Sequence, residues 1–262
     1  TMRDIIRRGE IGAVKAIWSR HFVGNGGDYY FKDWHADRRY SNGLLLQKAA
    51  HDIDEMNWLA DSHATRVVGM GGLTVYGDIT DRQDRSGKLM WEWYNVDNWP
   101  PLTQKGLNPV VDVEDLSMFS AKMASGAYVS YQQCHYTPDY WRNYTVIGTE
   151  GRIENFGDGE GGHITLWNRR SQYNPDGDAR YPISGDAHGH HDADMLTMTE
   201  FLEFVRTGRP TDTSPLGAWY AAATAIQATE SIRDGATPRD LPQLPEDLVA
   251  YFLNHHVRGE HD

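Results

Sequence analysis

GLLLQKAAHDIDEMNWL, residues 43–59, is the stretch on which the reading of this chain turns. Its apolar positions Leu46, Ala49, Ala50, Ile53, Met56 and Leu59 recur mostly at three- and four-residue steps, the period of an amphipathic helix. On such a helix Gln47 and His51 are four apart, and Lys48, His51 and Asp54 are three apart, so these groups project along one edge. A base, an acid and a cation on one rigid helix suit proton transfer. The same spacing also fits a plainer arrangement, in which His51 and Asp54 cap or pair locally on a half-buried helix.

The flanks of this helix set the fold class. Upstream, residues 1–8 read as the end of a helix with Gly9 as its C-terminal cap, and residues 13–22 alternate as a strand. Residues 24–28 read as a loop and 29–40 as an irregular segment. Downstream, 65–75 read as a strand, 78–87 as a polar turn region and 89–109 as a lid-like loop rich in Trp, Asn and Pro. Residues 113–122 and 127–133 form a hairpin about Ser125-Gly126, 140–148 another strand, and 152–156 with 163–168 a pair around a glycine loop. Residues 173–191 are polar and irregular. Two late helices follow. One covers 194–207, with Met195, Met198, Phe201, Leu202 and Val205 on its core face; the other covers 214–234, capped by Ser214 with Pro215 at its first position. Residues 238–245 read as an extended tail. Strands follow strands without regular helix alternation. The expectation is therefore α+β, a large open, mostly antiparallel sheet with helices packed on one face.

Composition narrows the function. A net charge of −12 with no basic cluster argues against nucleic acid. No apolar run approaches the ~20 residues of a membrane span. One cysteine, Cys134, excludes an intrachain disulfide and fits a reducing, cytoplasmic compartment. Nine tryptophans and fourteen tyrosines supply core area and ring-stacking walls.

The local motifs are weaker. GDGEGG at 157–162 matches G-x-G-x-x-G, yet it leads into the alternating run HITLWN and carries Asp158 and Glu160, so it reads as a hairpin connection rather than a dinucleotide cradle. HGHHDAD at 188–194 could ligate a metal, contact a polyhydroxylated substrate, or simply cap the next helix in solvent. No spacing in it is specific, and a metal site is not assigned. Trp34, Trp91, Trp93, Trp99 and Trp141 could stack on sugar faces or fill the core. Arg142 could grip a carboxylate or a hydroxyl pair, or form a surface ion pair with Glu154.

Several blocks, in order, resemble the C-terminal domain of the Gfo/Idh/MocA oxidoreductases, the glucose–fructose oxidoreductase and inositol dehydrogenase relatives. They are GEIG at 9–12, NGLLLQKAAHDIDEMNWL at 42–59, VED at 113–115, YWRNYTVIGTEGRIE at 140–154 and FLEFVRTGRPTDTSPLGAWYAAATAIQATESIRDG at 201–235. The resemblance implies residues 1–8 as the end of a linker helix from an N-terminal Rossmann domain that is missing here. It implies 9–245 as the substrate and oligomerisation domain, and leaves 246–262 as a C-terminal tail. It implies NAD or NADP in the full-length protein, bound mainly by the missing domain, and no cofactor or activity in this portion alone. The substrate would be a small carbohydrate, cyclitol or related polyol, and the sheet face would carry a homo-oligomer.

His51 matches the family's acid/base histidine. Gln47 falls where the family places an aspartate; Gln47 can orient a hydroxyl but cannot accept its proton. Lys48 follows, and a desolvated lysine can act as a base. Trp34, Arg39, Trp141, Arg142, His188 and His190 are the candidate substrate contacts. The alternatives are a family member that uses NAD in glycoside cleavage and a non-catalytic sugar- or metal-binding module.

Overall fold

The computed structural model describes residues 1–183, 191–209, 211–212 and 214–253. Helix α1 (Met2–Arg7) ends before Gly9, whose φ of +77° is the left-handed conformation that glycine adopts without strain. The chain then enters β1 (Val14–Val23), the middle strand of the sheet. Short helices α2 (Gly26–Tyr30) and α3 (Arg38–Ser41) occupy the stretch expected to be loop and irregular. The organising helix follows as two pieces, a π-helical turn over Leu45–Ala49 and then α4 (Ala50–Ala60). The remaining strands are β2 (Ala64–Gly72), β3 (Leu116–Met123), β4 (Tyr128–Cys134), β5 (Tyr140–Gly148), β6 (Arg152–Phe156), β7 (His163–Trp167), β8 (Ala179–Pro182) and β9 (Arg239–Asp240). Helices α5 (His191–Thr207), α6 (Pro215–Arg233) and α7 (Glu246–Leu253) complete the described elements.

The nine strands form one open sheet in the order β8-β7-β6-β5-β1-β4-β3-β2-β9. Only β1 and β4 run parallel; the other neighbours are antiparallel, so the mixed α+β sheet is as expected. Strand periodicity divides each strand between two faces. Ile17, Val67, Phe119, Tyr131, Tyr144 and Val146 turn to the helix side and join Ile53, Met56 and Leu59 of α4 in the main core. Trp18, Met70, Met118 and Tyr128 stand exposed on the opposite, uncovered face. β8 and β9 lie in segments read from sequence as irregular and as a tail. Both are edge strands, whose pairing supplies order that their own pattern does not announce.

Helix α6 lies directly on β2. Ser214 accepts a hydrogen bond from the Leu216 amide at 3.1 Å, and Ala221, Ala225 and Ala228 are buried against the sheet. The approach is close enough that a Cβ on Gly69 would sit 2.8 Å from the Ala228 carbonyl oxygen. At its far end Arg233 binds Glu114 at 2.7 and 2.9 Å and the Asn42 carbonyl at 2.7 Å, pinning the entry to the π-helical turn.

A second, smaller core of Phe31, Ala36, Leu44, Tyr76, Ile79, Leu107 and Val113 sits at one end of the sheet. Buried Asp115 organises it, accepting from the amides of Thr74, Val75 and Tyr76 at 2.7–2.9 Å and from the Thr74 hydroxyl at 2.8 Å. The 89–109 loop is docked on this lobe: Trp93 Nε1 donates to the Asp28 carbonyl at 3.0 Å, and Asn98 to the Asp28 carboxylate at 2.9 Å.

One expectation fails. Helix α5 forms, but Met195, Met198, Phe201, Leu202 and Val205 are exposed rather than core. Amphipathic spacing defines an apolar stripe and does not say what covers it.

Candidate functional site

The π-helical turn and α4 carry the sequence candidates on two faces. In α4 the apolar stripe of Ile53, Met56 and Leu59 fixes the helix on the sheet. That docking carries Asp52 inward as well, fully buried, with Lys48 one turn earlier and half-buried. His51, on the flank, is exposed. Of the three catalytic candidates, then, Gln47 and Lys48 lie in the π-helical turn, Lys48 toward the buried cluster, while His51 faces outward.

Asp52 is the centre of a buried polar cluster. Its Oδ2 accepts from His21 Nδ1 at 2.9 Å and from the Tyr131 hydroxyl at 2.6 Å. Its Oδ1 accepts from Arg142 Nε at 2.8 Å and from the Tyr144 hydroxyl at 2.8 Å. These donors come from β1, β4 and β5, whose inward alternation brings them under α4. Burial alone would raise the Asp52 pKa; the His21 hydrogen bond, the Arg142 charge and the Tyr131 hydroxyl outweigh it and hold the carboxyl at about 2. Burial raises Tyr131 and Tyr144, and the neighbouring carboxylate adds to it, so both stay protonated as donors.

The carboxylate also decides the state of the imidazole. His21 Nδ1 faces an oxygen that can only accept, so Nδ1 carries the hydrogen and Nε2 keeps its lone pair. Burial lowers the His21 pKa more than Asp52 raises it, so the ring is neutral. Among the described residues His21 Nε2 is buried without a hydrogen-bond partner. Next to it, Gln133 Nε2 donates to His135 Nε2, which leaves the hydrogen on His135 Nδ1, again buried and without a partner among the described residues. Burial, His21 and Lys48 push His135 well below the ordinary histidine range. Desolvation and the Arg142 charge lower the Lys48 pKa, against the pull of Asp52. A half-buried amine flanked by a fixed guanidinium and two neutral imidazoles is suited to exchanging a proton with a hydroxyl.

His51 lines a different part of the edge, a cavity of about 650 Å³ whose walls include Asp54, Trp58, His63, Tyr220 and Leu253. His63 and Tyr220 stack there at 3.6 Å. Burial raises the Asp54 pKa, and His51 opposes that rise.

The other candidates separate. Arg142 belongs to the Asp52 cluster, and its guanidinium also reaches the Tyr140 hydroxyl. It does not pair with Glu154, which instead meets Arg20 and Arg152 on the opposite sheet face. Adjacent Trp141 faces that opposite side too, with the Arg20 guanidinium 5.8 Å from its ring centre, because neighbouring strand residues point to opposite faces. Trp34 and Arg39 stand on the smaller lobe, joined to the cluster through Tyr30, whose ring meets His35 and His135 edge-on at 5.3 and 5.2 Å. His188 and His190 lie outside the described residues. Among the described residues no group of three His, Cys, Asp or Glu side chains could hold a metal, and no helix is long and apolar enough to cross a membrane.

Sequence reading missed His21, Asp52, Tyr131, Tyr144 and His135. The available signal was slight: His21 interrupts an inward series of Ile17, Ser19 and Val23, and Asp52 stands four residues after Lys48.

The chain has known relatives. A family profile described as the GFO/IDH/MocA C-terminal domain matches residues 1–154. YteT of Bacillus subtilis (strain 168), which is named as an oxidoreductase, is 23% identical over 188 residues, covering 58% of this chain and 44% of YteT. A levoglucosan dehydrogenase solved with NADH and levoglucosan superposes with a TM-score of 0.66 at 17% identity, covering 92% of this chain and 62% of that one. An aldose–aldose oxidoreductase from Caulobacter crescentus, complexed with glycerol, gives 0.62 at 16% identity, covering 92% and 59%. This chain thus spans less than two thirds of each of these relatives. The profile match takes in β1, the organising helix, β4 and β5, the elements that build the Asp52 cluster, and with it the chain belongs to the GFO/IDH/MocA C-terminal domain family.

Proposed function

We propose that this chain is the substrate-binding and oligomerisation portion of an NAD(P)-dependent oxidoreductase acting on a sugar, cyclitol or related polyol. The observation that carries the reading is the half-buried Lys48 amine beside Arg142, at the buried Asp52 cluster and one turn before His51. The substrate hydroxyl loses its proton to this edge: His51 is the acid/base, and Lys48 and Gln47 position the reacting oxygen. Arg142, held by Asp52, orients a neighbouring hydroxyl. The relatives, a dehydrogenase solved with NADH and levoglucosan and an oxidoreductase solved with glycerol, support a polyol substrate.

Gly157–Gly162, the motif that matches in sequence, joins β6 to β7 instead of leading from a strand into a helix. In this reading the nicotinamide cofactor is held mainly by sequence outside these 262 residues. The exposed face carrying Trp18 and Tyr128 would meet a second copy of the chain.

His51→Ala in the complete enzyme is expected to lower kcat/KM by about 10²–10⁴-fold, the ordinary worth of a general acid or base; near-wild-type turnover would remove His51 from that role. Calorimetry on this chain alone is expected to show no tight NAD binding.

A further inference from the structure

Trp34 and Arg39 line a cleft of their own, about 510 Å³, with Tyr40, Arg85, Lys88 and Trp93. That volume is in the range of small-molecule sites. Its charges are largely paired in place. Asp37 holds Arg39 Nε at 3.0 Å from both carboxylate oxygens, and Asp33 accepts from His35 Nδ1 at 2.6 Å. Asp84 accepts from the Ser86 hydroxyl at 2.6 Å, and Arg85 donates to the Gly106 carbonyl at 3.2 Å while covering the Trp93 ring at 5.3 Å. Arg39, Arg85 and Lys88 are balanced by Asp33, Asp37 and Asp84, so the walls offer little net field to an ion. They do offer preset hydrogen-bonding edges to vicinal hydroxyls.

Flat apolar faces accompany those edges. Trp34 is 46% and Tyr40 68% exposed, yet neither is loose: Trp34 stacks on His35 at 3.8 Å, and the Arg39 guanidinium lies 5.7 Å from the Tyr40 ring centre. Rigid aromatic surface beside fixed polar groups suits the C–H face and hydroxyl rim of a sugar ring. Two rings link the cleft to the Asp52 cluster: Trp34 stacks on His35, and Tyr30 meets His35 on one side and His135 on the other.

We infer that this cleft binds a second, neutral sugar ring, and that the substrate is therefore an oligosaccharide or glycoside whose reacting ring lies at Lys48 and Arg142. The inference rests on the polyol reading above, but its test needs neither nucleotide nor turnover. Saturation-transfer NMR and tryptophan fluorescence on this chain would compare glucose, xylose and galactose with their neutral α- and β-linked di- and trisaccharides, and with a digalacturonate. At least one neutral di- or trisaccharide is expected to bind tenfold or more tightly than its own monosaccharide. Trp34→Ala is expected to bring that ratio close to one. Tyr40→Ala, at a more exposed position, is expected to reduce it and serves as the second variant should Trp34→Ala fail to fold. Equal affinity for single rings and longer sugars, no binding by any neutral member, a gain that survives both variants, or a preference for the digalacturonate would each overturn the inference. Monosaccharide binding without a gain on the second ring would sink the cleft assignment and leave the polyol reading standing.

Discussion

Asp52 accepts four hydrogen bonds inside a core, and that saturation is what makes a buried carboxylate tolerable. Asp52→Asn keeps the shape but replaces one acceptor oxygen with an NH₂ that faces donors, and it leaves Arg142 without its counter-charge. The expected cost is about 3 kcal/mol, from the usual penalty for breaking a buried pair, discounted because Arg142 keeps some solvent contact. Urea unfolding with an unchanged m-value would measure it. Acid titrates the same cluster. His21 and His135 have lowered pKa values, so below about 6.5 the unfolded chain takes up protons that the folded rings refuse, and stability falls as pH drops toward their folded values. The lowered Asp52 pKa adds a loss of the same sign between about 4 and about 2. His135→Gln is expected to flatten the decline in Tm between pH 7 and 5. A slope equal to wild type would show that His135 does not cause it.

At the scale of elements, the contact of α6 with β2 depends on the missing side chain at Gly69. A methyl there meets backbone, the Ala228 carbonyl oxygen, as well as the Ile232 side chain at 2.9 Å, and the backbone cannot swing aside. Gly69→Ala is expected to destabilise by about 1–3 kcal/mol, the cost of overpacking, read from the midpoint of chemical unfolding. The π-helical turn has a different consequence. An extra residue in one turn shifts the register of the side chains before it relative to those after it, at the boundary between Gln47, Lys48 and the regular turns bearing His51 and Asp52. Ideal 3.6-residue spacing put Lys48 and His51 on one edge; in the structure Lys48 turns toward Asp52 and His51 lines a separate cavity.

For the whole molecule, α4 and α6 cover one face of the sheet, and among the described residues the other is open. On the open face Trp18 is 56%, Met70 63% and Tyr128 62% exposed, interspersed with Arg20, Ser130 and Gln132. Large apolar side chains held out on a broad sheet suit an interaction surface. Light scattering is expected to give more than one copy per particle, and Trp18→Glu at micromolar concentration to shift it to a monomer; a wild-type monomer would argue against the sheet-face assembly. The exposed stripe of α5 shows the same limit of periodicity, since a helix can be recognised without knowing its neighbour.

The sequence by itself determined the class and order of most elements: the organising helix, the hairpin at Ser125-Gly126, strand β5, the capped α6, and the reading of Gly157–Gly162 as a turn. These rest on local periodicity and turn chemistry, which neighbouring residues carry. Only the tertiary structure decided the centre of the site. Asp52 meets partners 31, 79, 90 and 92 residues away, brought together by the pairing order of β1, β4 and β5. No local pattern encodes which strands become neighbours, so sequence alone gave Asp52 and His21 no role, while His51, conspicuous on the helix, was named as a candidate.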